Sequence, residues 1–159
     1  MERVPQFLSQ TLVNITKTLL FQKDYFRDHP IWLVLEQELF KRRNTLNNEQ
    51  LTQVMHSFGV SGNGSQQFFY EMEEVITDSP LPIETEYLQK IMKGYSEVDQ
   101  GTPVFYSMLV EKILDRGIEL LSIEQIMEIT KSLAKATNTH KGGFGFYAAM
   151  EKHVRNNLF

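Results

Sequence analysis

Apolar residues recur along this chain at helical spacing, and the whole arrangement returns about every 38 residues. Ile126, Ile129 and Leu133 stand three and four apart, which puts them on one face of a helix. Leu88, Ile91 and Tyr95 repeat that stripe, as do Leu51, Val54 and Phe58 and, less regularly, Leu12, Ile15 and Leu19; the first positions lie 39, 37 and 38 residues apart. A second stripe follows each first one. It reads Ile31-Trp32, Leu35, Leu39; then Phe68-Phe69, Met72, Ile76; then Phe105-Tyr106, Leu109, Ile113; then Phe146-Tyr147, Met150, Val154, with starts 37, 37 and 41 apart. Two amphipathic helices at a fixed period predict an all-α, right-handed solenoid of about four helical hairpins. Its units span about 1–46, 47–82, 83–120 and 121–159, in one domain that is also a candidate segment of a longer array.

The helix starts repeat as well. Phe7, Leu46, Ile83 and Leu121 each precede the first anchor by five, the spacing of a hydrophobic staple. Asn47 and Ser122 fall at the N-cap, where a short oxygen side chain accepts from a free backbone N–H, and Ser122 with Gln125 makes a capping box. Glu84 and Leu8 occupy that place in the other units and are poorer caps. Glu49, Glu86 and Glu124 recur near the positive end of the helix dipole. Ser57, Gly94 and Ser132, with Thr18, share a column whose small side chains let helices approach closely. Residues 1–6 are expected to be a loose lead-in, and the first hairpin is expected to run over 6–22 and 29–43, with Pro30 in the first turn of its second helix. The stretches 60–65, 99–103 and 136–145 read as loops between the helices of a hairpin, and 78–82 as a joint between units. Trp32 shares its column with Phe69, Tyr106 and Tyr147, which predicts packing between units.

Composition changes this picture little, and charge rather more. No apolar run reaches the roughly 18 residues of a membrane helix. The absence of cysteine excludes disulfides, thiolate-bound metals and cysteine nucleophiles. The triplets at Asn14 and Asn63 match the glycosylation acceptor, but Asn14 sits within a predicted helix and no signal sequence precedes it. The net charge of −4 is uneven. Residues 1–46 carry seven basic and five acidic groups, 47–82 none and five, 83–120 four and seven, and 121–159 five and three. An acidic middle disfavours a phosphate backbone, which calls for a basic stripe, and suits a basic or mixed protein surface. Glu71 and Glu74 are the candidate partner-binding residues there. Against this runs one column of basic or titratable residues, Lys17, His56, Lys93 and Lys131, a candidate ladder for a polyanion such as RNA. Lys41-Arg42-Arg43 fall in a last helical turn, where cations complement the dipole.

Candidate chemistry is sparse. His29, His56, His140 and His153 show no metal-ligand spacing, and no nucleophile elbow, triad order or phosphate-binding glycine loop is present. Glu36, Glu73 and Glu151 share a second-helix column interrupted by Val110, and read as surface or inter-unit pairing. No cofactor, metal or enzymatic role is expected.

The motif Leu-x-x-Glu-x-[Leu/Ile]-x-x-[Val/Ile], followed by a helix opening Phe-[Phe/Tyr], is carried by Leu46-Glu49-Leu51-Val54 with Phe68-Phe69-Met72. It returns in Ile83-Glu86-Leu88-Ile91 with Phe105-Tyr106-Leu109, and in Leu121-Glu124-Ile126-Ile129 with Phe146-Tyr147-Met150. This resembles organellar helical repeats of the octotricopeptide and heptatricopeptide type and those preceding RAP domains. The resemblance implies an α-solenoid, a mitochondrial or plastid setting, and either organellar RNA binding or a structural place in an organellar assembly. The chain departs from the RNA-binding members in its acidity, its short array and its lack of a RAP domain. The resulting expectation is a non-catalytic scaffold or accessory subunit of a larger mitochondrial protein complex, with an RNA-binding repeat protein as the alternative. The last unit carries no polar cap, so a partner or further chain is expected to cover it.

Overall fold

The apolar stripes become helices. The computed structural model describes residues 3–79, 83–136 and 144–158, with side chains from residue 8 to residue 157 in those stretches. Among the described residues every regular element is helical: α1 (Arg3–Phe21), α2 (Lys23–Phe26), α3 (Ile31–Lys41), α4 (Asn48–Ser61), α5 (Gln66–Thr77), α6 (Thr85–Glu97), α7 (Pro103–Leu114), α8 (Ile123–Lys135) and α9 (Phe144–Leu158). Short 3-10 turns at Arg43–Thr45 and Ile118–Leu120 lead into α4 and α8. No described helix is long and apolar enough to cross a membrane.

Helix starts follow the predicted chemistry. Asn47 and Ser122 cap α4 and α8, and each forms a full capping box, with Gln50 and Gln125 respectively. Glu84 stands at the N-cap of α6 and makes no side-chain cap bond. Ser65 and Thr102 cap α5 and α7, accepting from Phe68 N and Phe105 N, each at 3.1 Å. The first unit differs from expectation. Helix α1 already begins at Arg3, so residues 3–6 are helical rather than a lead-in and Leu8 lies inside the helix rather than at a cap, while residues 1 and 2 lie outside the described residues. Four residues between the first two long helices form the extra turn α2, and Pro30 is the N-cap of α3 rather than part of its first turn. Pro80, Leu81 and Pro82, the long loop with Gly142 and Gly143, His140, and the Phe7 and Phe159 side chains lie outside the described residues.

Packing follows chain order in two rows. Helix α1 packs on α4, α4 on α6 and α6 on α8; α3 packs on α5, α5 on α7 and α7 on α9. The pairs α1 with α3, α4 with α5 and α6 with α7 join the rows. The core runs between them as one cluster from Val13 to Phe146. Its axis is an unbroken file of aromatic rings. Trp32 meets Phe58 edge-on at 5.0 Å, Phe58 meets Phe68 at 4.9 Å, and Phe69 meets Tyr95 edge-on at 5.0 Å. Tyr95 then meets Phe105 at 4.6 Å, within the range in which ring pairs attract beyond simple burial. Trp32 and Phe69 thus pack between hairpins, as their shared column predicts, whereas Tyr106 and Tyr147 meet the rings of Phe105 and Phe146 on their own helices.

The interhelix loops are superposable in sequence register. Gly64 and Gly101 immediately precede Ser65 and Thr102 and adopt φ of 99° and 98°. A Cβ at either would lie 2.7 Å from a ring carbon of Phe69 or Tyr106. Glycine is required twice over at this repeat position, for its left-handed backbone and for the ring beneath it.

Candidate functional site

Among the described residues, polar and small side chains build the joints between hairpins. Two of these joints are carboxylates. Glu36 on α3 accepts from the backbone N–H of Ser65 at 3.2 Å and from its hydroxyl. One repeat later Glu73 on α5 accepts from the N–H of Thr102 at 3.1 Å and from its hydroxyl. In both cases a carboxylate of one unit caps the second helix of the next, satisfying N–H groups that a helix start leaves orphaned and matching the dipole. The spacing of 29 residues from Glu to Ser or Thr is identical in the two joints. Glu73 is only 9% exposed, and this cap is what makes its burial tolerable. Val110 takes the equivalent place on α7 and is apolar; it lies 3.9 Å from where a Cβ at Gly145 of α9 would stand.

A second joint is steric. A Cβ on Gly59 would fall 1.8 Å from the carbonyl oxygen of Gly94, and a Cβ on Gly94 would fall 2.3 Å from that of Met55. Helices α4 and α6 therefore touch backbone to backbone. The column of Ser57, Gly94 and Ser132 is readable in the sequence; its counterpart, Gly59 with Ser96 and Ala134, emerges only from the packing. The signal was small size at the same register on the neighbouring face. Tyr95 adds a directed bond, its buried hydroxyl donating to Phe69 O at 2.8 Å. Burial, with the nearby Glu73 and Tyr106, raises its pKa well above the phenolic range, so it remains a donor.

The candidate acidic residues line a groove of about 410 Å³ with Arg43, Asp78 and Ser79. Glu71 lies 3.9 Å from the Arg43 guanidinium, which itself stacks over Phe40 at 4.3 Å. One member of the basic triplet thus meets an acid of its own chain. Glu74 is exposed at the groove rim.

The candidate ladder is only partly assembled as cations. Lys17 is exposed on α1. His56 is partly buried between α4 and α6; burial first, then the charges of Lys93 and Lys90, lower its pKa to about 4, so it is neutral near pH 7. Lys93 and Lys131 converge on Glu128, at 3.7 and 3.0 Å. The hydrogen bond and charge of Lys131, then the charge of Lys93, hold the Glu128 carboxyl below its ordinary value. With Lys135, which pairs with Glu97 at 2.5 Å, they border a groove of about 600 Å³ between α6 and α8. Three lysines face two glutamates there.

The remaining candidates are separate. His29 accepts from Ile31 N at 3.1 Å and meets Phe26 edge-on, while His153 is bonded by Asn157 on its own helix. Among the described residues no three His, Asp or Glu side chains come close enough to hold a metal ion. No protein-family model, curated protein or solved structure matches this chain.

Proposed function

We propose that this protein is a non-catalytic helical-repeat scaffold or accessory subunit, a right-handed solenoid of four hairpins that docks in a larger protein assembly. The observation that carries the reading is what joins the hairpins. Glu36, Glu73, Tyr95 and the glycine seam all join one hairpin to the next, so the distinctive chemistry of the chain is spent on alignment. Such an array recognises its partner by shape and by charge along its surface. The acidic groove with Glu71, Glu74 and Asp78 suits a basic partner segment. The organellar-repeat resemblance makes a mitochondrial complex the setting. A native pull-down of the tagged chain, with and without nuclease, tests this. A stoichiometric protein set that survives nuclease is expected; recovery of RNA with proteins lost on nuclease would contradict it.

RNA binding along Lys17, His56, Lys93 and Lys131 is the second reading, favoured by the three-lysine groove between α6 and α8. Neutral His56 and the shared Glu128 weigh against it. If it holds, affinity falls with salt, and Lys93→Glu with Lys131→Glu abolishes binding.

A further inference from the structure

The same column is buried or bare depending on which hairpin carries it, and the difference defines a surface. On α4 and α6 the residues that face the following hairpin include Met55 and Met92, both wholly buried. Their equivalent on α8, Thr130, is only partly buried; Ala134, equivalent to the buried Gly59 and Ser96, is exposed, and Met127 is 52% exposed where Thr52 of α4 is 2%. Helix α9 repeats the pattern. Val154 is 37% exposed, whereas Ile76 and Ile113 in its column are wholly buried. Glu151 occupies the column of Glu36 and Glu73, yet among the described residues its carboxylate pairs with Arg155 one turn along its own helix, at 2.7 Å. In the columns that receive a hairpin elsewhere in this molecule, the open side of α8 and α9 thus presents a small residue, Ala134, two exposed apolar residues, Met127 and Val154, and a carboxylate, Glu151.

We infer that this face docks a helical hairpin of a partner protein, one with glycine, alanine or serine against Ala134 and a serine or threonine opening its second helix beneath Glu151. The inference rests on the scaffold reading and adds the class of partner. It continues an interface that the chain itself builds twice, between α4–α5 and α6–α7 and, in its carboxylate part, between α3 and α5. A second copy of the chain is a poor occupant. The α1 positions in the columns through which α4 and α6 face the preceding hairpin are the exposed, polar Asn14 and Thr18. The residue in register with Ser65 and Thr102 is Asp28, a like charge for Glu151, and α3 starts without any side-chain cap.

The test uses the intact protein with its methionine methyls isotopically labelled, titrated with a synthetic peptide of residues 83–117, the α6–α7 hairpin. Saturable shifts of the Met127 and Met150 methyls, with Met55 and Met72 unmoved, are expected. Glu151→Lys in the protein, or Gly94→Leu in the peptide, should weaken the effect at least tenfold. With the peptide helical by circular dichroism, unmoved Met127 and Met150 signals, or equal shifts with the Gly94→Leu peptide, would overturn the inference. Shifts that grow with protein concentration alone would overturn it in favour of self-association. A second arm is independent of peptide folding. Met127→Glu with Val154→Glu should leave the melting temperature unchanged but release the nuclease-resistant protein set in the pull-down. If that set is retained, the docking face is refuted while the scaffold reading stands; if only RNA is recovered, the scaffold reading itself falls.

Discussion

The seam between α4 and α6 and the seam between α6 and α8 use the same repeat columns and close them with different residues. In the first, Gly59 and Gly94 bring backbones together, and Phe69 receives both the ring and the hydroxyl of Tyr95. In the second, Ser96 and Ser132 replace the glycines, Leu133 replaces the ring, and Val110 replaces the capping glutamate. The α4–α6 contact is the most extensive between any two described helices, and the α6–α8 contact is smaller and borders an open groove. The aromatic file that begins at Trp32 ends at Tyr106 for the same reason. Repetition of an apolar pattern therefore fixes which helices meet, while the small and polar residues between the anchors fix how closely they do so.

The largest effect is expected from breaking the tight seam. Gly94→Leu places side-chain atoms where the Met55 carbonyl already stands, and should cost about 3 kcal/mol or more in urea unfolding. Ser132→Ala at the equivalent place on α8 should cost less than about 1 kcal/mol. Converting one seam toward the other comes next. Tyr95→Leu gives unit three the residue of unit four, removing a buried ring and its bond to Phe69 O, for about 2–4 kcal/mol. Glu73→Val copies the Val110 arrangement and strips the cap from Thr102, for about 2 kcal/mol, with faster amide exchange in the first turn of α7.

The smallest effect is one of pH. The folded state holds His56 at a pKa of about 4, below the ordinary imidazole value of 6.5, so the unfolded chain takes up this proton first as pH falls. Its contribution to stability is whole above about pH 6.5, declines down to about pH 4 and is level below. Comparing urea midpoints of the protein and a His56→Asn variant at about pH 7 and pH 5 isolates it: the variant should lose less stability on acidification.

These differences explain what the sequence disclosed. The anchors were legible because three- and four-residue spacing of large apolar side chains has one physical meaning, and Asn47 and Ser122 were legible because capping needs a specific oxygen at a specific place. The Gly59 column was not, since its role shows only where Gly59 meets the backbone of Gly94 on another helix. Glu36 and Glu73 stood out as a column, but their partners lie 29 residues on, beyond any local pattern. Likewise the four-residue α2 is too short to show a period, and the depression of His56 depends on burial against a neighbouring helix first, then on the charges of Lys93 and Lys90 that this helix brings.

The most direct test of the seam account is native-state hydrogen exchange on the whole protein across low urea concentrations. Amides of α8 around Ile129 to Leu133 should exchange through a partial opening, at lower free energy than those of α4 around Val54 to Phe58, which should await global unfolding. Equal protection of α8 and α4, following one global transition, would contradict the claim that the seam residues, rather than the shared apolar pattern, set how tightly the hairpins are joined.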